Sequence, residues 1–366
     1  MMANLIRLRE SSIQSNAQIF IDNYIASDGN RFVFGRTPQS ENILSSYPVD
    51  AIIDDYTDEA LYHGIPILKS SDLPKSAVVI SAVMHRPTTA ALHLSKLNVD
   101  WISYYQLQHA GLVSMLPFWE GAQGHFDRNQ DRYQALYERL NDNTSRNTLR
   151  DVLSFRETGD VSIMSNYTTR LNEMYFEEFL AIPDDAFFYD IGALDGINTR
   201  QFFKRYKRGK GALMVEPLVE NSVSLRGVTD DLSDRNVILE HCAISDKNGT
   251  ANFVVDDRHA SSRLDLDGHS GRNVKTRSLT DLYECGVPKP DFIKMDIEGA
   301  ELSALKGAER IIKKFKPAMA VSVYHNVDHI LDCFELIRGY DNNYHYYMRH
   351  YTEGYAETVL YATLPP

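Results

Sequence analysis

Short hydrophobic segments of strand length alternate with segments of helical periodicity along the first part of the chain. This pattern predicts strands that alternate with helices, which is typical of a parallel α/β fold. We therefore expect a small Rossmann-like α/β domain within residues 1–110. Its predicted strands lie at residues 31–35, 49–53, 65–68, 77–81 and 99–102, and its clearest helices at residues 40–46 and 87–96.

The second half of the chain repeats this alternation but ends differently. Two late strands, at residues 344–350 and 357–362, follow each other with no long helix between them. Such a pair adds an antiparallel strand to a mainly parallel sheet, which a plain dinucleotide-binding domain lacks. The earlier strands of this half are predicted at residues 187–191, 212–215, 237–243, 292–295 and 318–324.

The segment between the two halves has a helical pattern. Helices are predicted at residues 131–140, 149–155 and 167–180, the last with apolar residues at helical spacing. We therefore expect a helical connecting segment over residues 111–180 and a second domain over residues 181–366. A chain of 366 residues is long enough for two domains, because single cores rarely grow past about 250–300 residues.

Two motifs at predicted strand ends have the form of cofactor-binding loops. In one, a strand ending in Asp190 is followed by Gly192 and Gly196; in the other, residues 291–301, a strand ends in an acidic cluster. Ligands of open α/β sheets bind at the carboxyl ends of strands, where glycines and free backbone N–H groups allow close approach. The glycine spacing differs from the Gly-x-Gly-x-x-Gly dinucleotide fingerprint, which disfavours an NAD-linked dehydrogenase.

The pattern strand-Asp-x-Gly-x-x-x-Gly resembles the S-adenosylmethionine (SAM) loop of class I methyltransferases. Val-Glu-Pro at 215–217 places Glu216 about 20 residues past that loop, the offset at which a carboxylate meets ribose hydroxyls. Together with Lys-Met-Asp-Ile-Glu-Gly-Ala-Glu at 294–301, these motifs make residues 181–363 similar to the FkbM family of SAM-dependent O-methyltransferases. Further agreement lies at residues 241–246, 276–282 and 304–308.

The resemblance implies a class I methyltransferase fold, with a mainly parallel seven-stranded sheet that contains one antiparallel strand, and SAM as the cofactor. A tight strand-to-helix turn without a ligand is the alternative interpretation of the two glycines. The residues assigned to SAM are Asp190, Gly192, Ala193 and Gly196 for the methionine moiety, Thr199 for loop support, Glu216 for the ribose diol and Ala243 near the adenine.

Methyl transfer to a hydroxyl requires a group that takes up the hydroxyl proton. We expect it among Asp296, Glu298 and His325, which end two neighbouring predicted strands. A histidine of ordinary pKa accepts a proton at physiological pH, and His325 matches the usual histidine position of the family. Asp296 is alternatively a residue that orients the methionine portion of SAM. Asp296 and Glu298 also offer oxygen ligands for a divalent cation, and a solvated surface cluster is the alternative for Glu298 and Glu301.

Composition restricts the partners. A formal net charge of −12 argues against a nucleic-acid partner, because phosphate binding relies on Lys and Arg clusters. The three cysteines lie far apart, so neither a disulfide framework nor a zinc knuckle is indicated. No stretch approaches the ~20 apolar residues of a membrane span, and we expect a cytoplasmic protein.

We expect a SAM-dependent O-methyltransferase that acts on a sugar hydroxyl in a polysaccharide, glycolipid or nucleotide-sugar precursor, as the resemblance implies. A macrolide-type natural-product hydroxyl is the alternative acceptor, and a non-catalytic assembly subunit that binds SAM or a nucleotide sugar is the alternative class. The N-terminal domain resembles nucleotide-sugar-binding-like domains but keeps only Gly35 of a glycine-rich loop, so a scaffold or homo-oligomerisation role stands beside ligand binding. Residues 260–263 are candidates for substrate contacts.

Overall fold

The computed structural model describes residues 6–9, 16–256, 261–265 and 272–365. The chain divides into two compact units, each discontinuous in sequence. Unit 1 takes its described residues from 1–134, 146–171 and 350–356, and unit 2 takes them from 135–145, 172–349 and 357–366. The division at residues 110 and 180 that we expect from the sequence remains a prediction.

Unit 1 is built on a mainly parallel six-stranded sheet. Its strands are Arg31–Phe34 (β1), Ala51–Ile53 (β2), Leu61–Tyr62 (β3), Ile65–Leu68 (β4), Val78–Ser81 (β5) and Asp100–Ser103 (β6). Their order across the sheet is β3-β4-β2-β1-β5-β6. Only β3 and β4 pair antiparallel, and the other neighbours in the sheet are parallel. This confirms the smaller Rossmann-like fold, and all the strands predicted for it are present.

Helices connect the strands of unit 1, and their starts follow from side-chain caps. Thr37 accepts a hydrogen bond from the Ser40 amide while the Ser40 hydroxyl accepts one from the Thr37 amide, and Ser103 and Gln106 cap a later helix in the same way. The α-helices described between residues 16 and 171 are Ala17–Ala26 (α1), Pro38–Ser46 (α2), Pro87–Leu97 (α3), Tyr104–His109 (α4), His125–Arg128 (α5), Gln130–Arg139 (α6) and Asn143–Thr158 (α7). Helices α6 and α7 extend into residues 135–145, which belong to unit 2.

Residues 350–356, from near the end of the chain, also belong to unit 1. The carboxylate of Glu353 accepts hydrogen bonds from the Thr89 amide at 2.7 Å and from the hydroxyls of Thr88 and Thr89 at 2.5 and 2.7 Å, in the first turn of α3. Gly354 passes the backbone after β5 so closely that a Cβ would clash there. The end of β5, where an open α/β sheet offers a ligand site, is thus occupied by the chain itself.

Unit 2 contains a seven-stranded and a four-stranded sheet. The larger has the order β16-β17-β15-β14-β7-β8-β9 in the numbering given below, and the smaller has the order β10-β13-β11-β12. The strands are Phe187–Ile191 (β7), Gly211–Val215 (β8), Asn236–Glu240 (β9), Ala243–Ile244 (β10), Gly249–Asp256 (β11), Ser261–Asp265 (β12), Arg272–Arg277 (β13), Phe292–Met295 (β14), Ala318–Ser322 (β15), His345–His350 (β16) and Thr358–Thr363 (β17).

The larger sheet confirms the predicted class I methyltransferase fold. Strands β9, β8, β7, β14 and β15 are parallel neighbours, whereas β17 pairs antiparallel with β15. The strand predicted at residues 237–243 is in fact two, β9 and β10, and the smaller sheet has no counterpart among the predicted elements. The helices of unit 2 are Ile197–Arg205 (α8), Ser222–Asp231 (α9), Leu279–Glu284 (α10), Glu301–Gly307 (α11), Glu309–Phe315 (α12) and His329–Tyr340 (α13).

The helix predicted over residues 167–180 is wrong, because this segment forms turns and irregular backbone. Tyr175 has a left-handed φ of 73°, which a helix does not accommodate. Its apolar side chains find partners without helical geometry: Phe179, for example, stacks on Tyr347 with ring centroids 4.0 Å apart. The helical spacing of these residues therefore reflects burial against several different neighbours.

Aromatic side chains fill the core between the larger sheet and α8. Phe188 on β7 stacks against Phe292 on β14 and Phe202 on α8, with ring centroids 5.1 and 4.9 Å apart. All three rings are fully buried. This packing holds α8, and the turn that precedes it, against the sheet. Among the residues that the structure describes, no helix is long and apolar enough to cross a membrane.

Phe188→Ala is expected to lower the free energy of unfolding by about 3–5 kcal/mol, because it removes a buried ring and leaves a cavity between two stacked partners. Urea denaturation followed by circular dichroism measures the change. Val223→Ala is the control in the same unit, since Val223 is 83% exposed. Its effect should stay within about 0.5 kcal/mol, and an equal loss in both variants would contradict this account of the core.

Candidate active site

A cavity of about 190 Å³ opens at the carboxyl ends of the central strands of unit 2. Strands β7, β8 and β14 end at its edge, and each is followed by a loop that contributes to the wall. The lining residues include Gly192 to Asp195 after β7, Glu216 to Leu218 after β8, Cys242 to Ile244 at β10, and Lys294, Asp296, Ile297, Glu298 and Ala300 at and after β14.

The turn after β7 depends on two glycines with left-handed backbone, Gly192 at φ 79° and Gly196 at φ 77°. A Cβ on Gly192 would clash with the carbonyl oxygen of Asp296, so a side chain here would force the two loops apart. A Cβ on Gly196 would lie 2.6 Å from a methyl group of Val228 on α9. Only glycine therefore meets both the conformation and the space that this turn requires.

Glu216, at the end of β8, organises the opposite wall of the cavity. One carboxylate oxygen accepts from the Leu194 amide at 3.1 Å and the other from the Leu218 amide at 3.0 Å. The side chain is only 5% exposed, and burial raises the pKa of its carboxyl. The residue thus joins the loops after β7 and β8 while it faces the cavity.

Lys294 on β14 is buried at the base of the cavity. Its ammonium donates to the carbonyl oxygens of Ile191 and Gly192 at 3.3 and 2.6 Å and lies 3.3 Å from Oδ1 of Asp190. Thr199 donates to the other oxygen of Asp190 at 2.8 Å. Burial raises the pKa of Asp190, and the adjacent Lys294 acts in the opposite direction. Asp190 and Thr199 therefore support the glycine turn from below.

The loop after β14 carries the two acidic residues of the cavity wall, Asp296 and Glu298. Oδ2 of Asp296 accepts from the hydroxyl of Tyr175 at 2.7 Å. Glu298 has a left-handed φ of 54°, which is rare for a residue other than glycine and directs its carboxylate toward His325. Burial raises the pKa of Glu298 to about 7, so this carboxyl exchanges its proton near neutral pH.

His325 follows β15 and is surrounded by carboxylates. Its Nε2 lies 3.4 Å from Glu298 and 3.6 Å from Asp296, and its Nδ1 lies 2.9 Å from Glu301. Burial alone would lower the pKa of the imidazole, but Glu301, with Asp296 and Glu298, raises it to about 9. The ring is therefore an imidazolium at physiological pH. The role of base expected for His325 requires the neutral form of the ring, and it stays a prediction.

A third carboxyl, Glu357 before β17, belongs to the same neighbourhood. One of its oxygens lies 3.5 Å from the hydroxyl of Tyr324. Burial raises the pKa of Glu357 to about 8, and the charge of Asp296 adds to this shift. Its backbone φ of 71° is left-handed, as at Glu298. Two strained acidic residues thus lie near one imidazolium.

The structure brings together six of the predicted site residues in the cavity wall: Gly192, Ala193, Glu216, Ala243, Asp296 and Glu298. The other predicted residues, Asp190, Gly196, Thr199 and His325, lie behind this wall and contact it. Of the residues 260–263, residue 260 lies outside the described residues. Sequence reasoning missed Tyr175, Lys294 and Glu357 and gave no buried role to Glu301, although Lys294 and Glu301 begin and end the second motif.

The divalent cation that the sequence predicts stays a prediction, and the contacts already present at its candidate ligands disfavour it. Asp296, Glu301 and His325 bring potential ligand atoms within 4.8 Å of one another. However, each oxygen of Glu301 already accepts a backbone amide, from Ile297 at 2.9 Å and from Gly299 at 3.1 Å. The imidazolium of His325 would in addition repel a cation placed between Asp296 and Glu298.

Comparisons with known proteins agree with this architecture. Residues 190–348 match the methyltransferase FkbM domain. The crystal structure of methyltransferase FkbM from Methylobacillus flagellatus KT aligns with a TM-score of 0.74 and 25% identity, over 94% of this chain and 93% of that chain. Comparison with curated proteins gave no match.

Two further solved structures align less closely. One is precorrin-6y C5,15-methyltransferase from Geobacter metallireducens GS-15, with a TM-score of 0.33 and 14% identity over 54% of this chain and 94% of that chain. The other is Aeropyrum pernix fibrillarin in complex with natively bound SAM, with a TM-score of 0.34 and 12% identity over 53% of this chain and 71% of that chain.

The FkbM-type alignment covers both units of the chain, and the domain match covers the strands and loops that form the cavity. Both findings agree with the motifs at residues 190–196 and 294–301. Residues 190–348 therefore match the methyltransferase FkbM domain, and the chain is a methyltransferase.

Proposed function

We propose that the protein transfers the methyl group of SAM to a hydroxyl of a sugar acceptor. The observation that carries this proposal is the cavity in which the Gly192 turn and the Glu216 carboxylate face the acidic pair Asp296 and Glu298. Cofactor-binding geometry and a group able to take up a hydroxyl proton are thus present in one place.

The residues of the cavity fit SAM in character. The Gly192 turn offers backbone close to a ligand, and Glu216 offers the lone pairs left by the Leu194 and Leu218 amides to the ribose hydroxyls. Ala243 and Ile244 add apolar surface suited to an adenine. When bound, SAM supplies an electrophilic methyl group on a positively charged sulfur. Asp296, in the wall, provides a negative charge that such a cofactor favours.

Glu298 is the general base of this proposal. Its carboxylate lines the cavity, and its pKa of about 7 is matched to proton uptake at neutral pH. In the transfer, the acceptor oxygen bonds to the methyl carbon while the S–CH₃ bond breaks, and the hydroxyl proton passes to Glu298. His325 acts as a neighbouring positive charge that keeps Glu298 ionised, which replaces the role of base expected for it from the sequence.

The acceptor is inferred from the family. A sugar hydroxyl in a polysaccharide, glycolipid or nucleotide-sugar precursor is the acceptor that we propose, and a macrolide-type hydroxyl is the alternative. A cytoplasmic location and a homo-oligomer formed through the N-terminal domain, residues 1–110, remain predictions. The non-catalytic alternative is less favoured, because the cavity retains both its glycine turn and its acidic pair.

Gly192→Ala should abolish SAM binding, because the new Cβ would clash with the Asp296 carbonyl and displace the turn. Gly286→Ala is the matched control: Gly286 also has a positive φ, of 105°, but open space around the Cβ position. Isothermal titration calorimetry with SAM, and with NAD as the competing cofactor, measures both. The control should bind SAM within about threefold of wild type.

Absence of SAM binding to the wild-type protein would contradict the proposed function. Equal loss of affinity in the Gly192 and Gly286 variants would contradict the specific role of the turn, because it would assign the loss to backbone strain alone.

Glu298→Gln should lower kcat by about 10²- to 10⁴-fold with little change in SAM affinity, because the amide cannot accept the hydroxyl proton. In the wild type, kcat should rise as the pH increases through about 7, where Glu298 loses its proton. Steady-state kinetics with a panel of sugar acceptors measures both effects. Glu309→Gln is the control, since this exposed carboxylate pairs with Lys313 away from the cavity. Full activity of Glu298→Gln would rule out this base.

Turnover is expected to be unchanged by EDTA and by added Mg²⁺, because the charge of His325 occupies the place of a cation between Asp296 and Glu298. Initial rates after dialysis against EDTA measure this, with Mg²⁺ restored in a parallel sample. A rate that falls with EDTA and returns with Mg²⁺ would show that a cation takes part.

A further inference from the structure

Glu301, the first residue of α11, has a fully buried carboxylate although it lies in a motif whose other acidic residues face the cavity. Burial of a carboxylate is costly unless donors surround it. Glu301 meets this requirement with two amide N–H groups of the β14 loop and with two histidine rings that lie within ion-pair distance.

Each carboxylate oxygen of Glu301 has one amide donor and one imidazole nitrogen nearby. Oε1 accepts from the Ile297 amide at 2.9 Å and lies 2.9 Å from Nδ1 of His325. Oε2 accepts from the Gly299 amide at 3.1 Å and lies 3.3 Å from Nδ1 of His329. Burial acts to raise the pKa of Glu301, but the two imidazoles lower it below the ordinary value. The carboxylate is therefore always charged.

This arrangement orients the His325 ring. Nδ1 faces Oε1 of Glu301 at 2.9 Å, whereas Nε2 is turned toward Glu298 and Asp296. The ring also packs against Tyr324, with centroids 3.9 Å apart, which restricts its rotation. Carboxylate, imidazole and second carboxylate thus form a line from the protein interior to the cavity.

Other charged and titratable groups surround this line on every side. They are His329 on α13, Lys294 on β14, Tyr175 in the segment before β7, Tyr324 after β15 and Glu357 before β17, together with Asp296 and Glu298. Lys294 is already engaged by Asp190, so His325 supplies the positive charge closest to Glu298. The charges of His325 and, less strongly, of Lys294 lower the pKa of Glu298, whereas those of Asp296 and Glu301 raise it, and the effect of His325 is larger than that of Glu301.

We propose that Glu301 is a positioning residue for methyl transfer, which acts through His325 to keep Glu298 ionised and directed at the acceptor hydroxyl. This inference rests on the proposed function of Glu298 as the base and extends it to a residue that does not touch the cavity. The Glu301 carboxylate also accepts hydrogen bonds from the Ile297 and Gly299 amides of the loop after β14. The geometry of this loop and the ionisation of Glu298 therefore depend on one side chain.

The test compares Glu301→Gln with Glu309→Gln. Glu309 is an exposed residue of α12, and its substitution by Gln removes the same charge. In Glu301→Gln, the pH at half-maximal kcat should move up from about 7 by about one unit, so that kcat at pH 7 falls about fivefold and recovers at pH 9. KM for SAM should change little, and the control should keep the wild-type profile. A purely structural role would lower kcat equally at every pH, which would overturn the proposal.

Nuclear magnetic resonance of ¹⁵N-labelled histidines tests the same inference without activity. In the wild type, His325 should remain doubly protonated at pH 8, whereas in Glu301→Gln it should titrate near its ordinary value of about 6.5. Loss of a signal in His325→Gln assigns the resonance of His325. If Glu301→Gln fails to fold, His325→Gln replaces it in the kinetic test, and its pH at half-maximal kcat should show the same upward shift. A His325 that titrates near 6.5 in the wild type would overturn the proposal even if methyl transfer is established. Failure to find any turnover would instead contradict the proposed function and leave this titration to decide the role of Glu301.

Discussion

The buried ammonium of Lys294 is the constraint on which the candidate site depends. A lysine within a central strand is tolerated only when its charge and its donors are satisfied, because the loss of hydration is otherwise too costly. Here Asp190 supplies the opposite charge from the neighbouring strand, and the carbonyl oxygens of Ile191 and Gly192 take further hydrogen bonds. These contacts join β14 to the end of β7 and hold the start of the glycine turn.

The shape of the cavity follows from this attachment. Lys294 holds the carbonyl group of Gly192. In this position the Cα of Gly192 lies so close to the Asp296 carbonyl that only glycine fits. The loop then continues to Leu194, whose amide is taken by Glu216 from the next strand. The two walls of the cavity are thus connected through backbone hydrogen bonds rather than through apolar packing. Such an arrangement leaves a preformed opening, because Glu216 and Lys294 form their hydrogen bonds with the backbone of the surrounding loops.

The sequence predicted most strands of the two larger sheets, but it did not predict the four-stranded sheet or the roles that depend on distant partners. Strands β7 and β14 are predicted at their observed bounds, because each is a continuous apolar run that ends in a distinctive motif. The segment at residues 167–180 was misassigned, because helical spacing cannot be distinguished from irregular burial when a residue such as Tyr175 takes a left-handed backbone. The protonation of His325 was also unpredictable, because it depends on Glu301, which a strand and two loops bring beside it.

The balance of charge also explains why a site with so many acidic groups suits the proposed reaction. Glu298 and Glu357 have pKa values of about 7 and 8, so their ionisation responds to any charge that enters the cavity. A positively charged sulfonium near Asp296 would favour the ionised form of both carboxyls, and by linkage their ionisation would favour binding of that cofactor. In the proposed reaction, methyl transfer would remove the sulfonium charge and leave the hydroxyl proton on Glu298. Both changes would weaken the attraction, so the electrostatics that prepare the proposed base would also favour release of the demethylated cofactor.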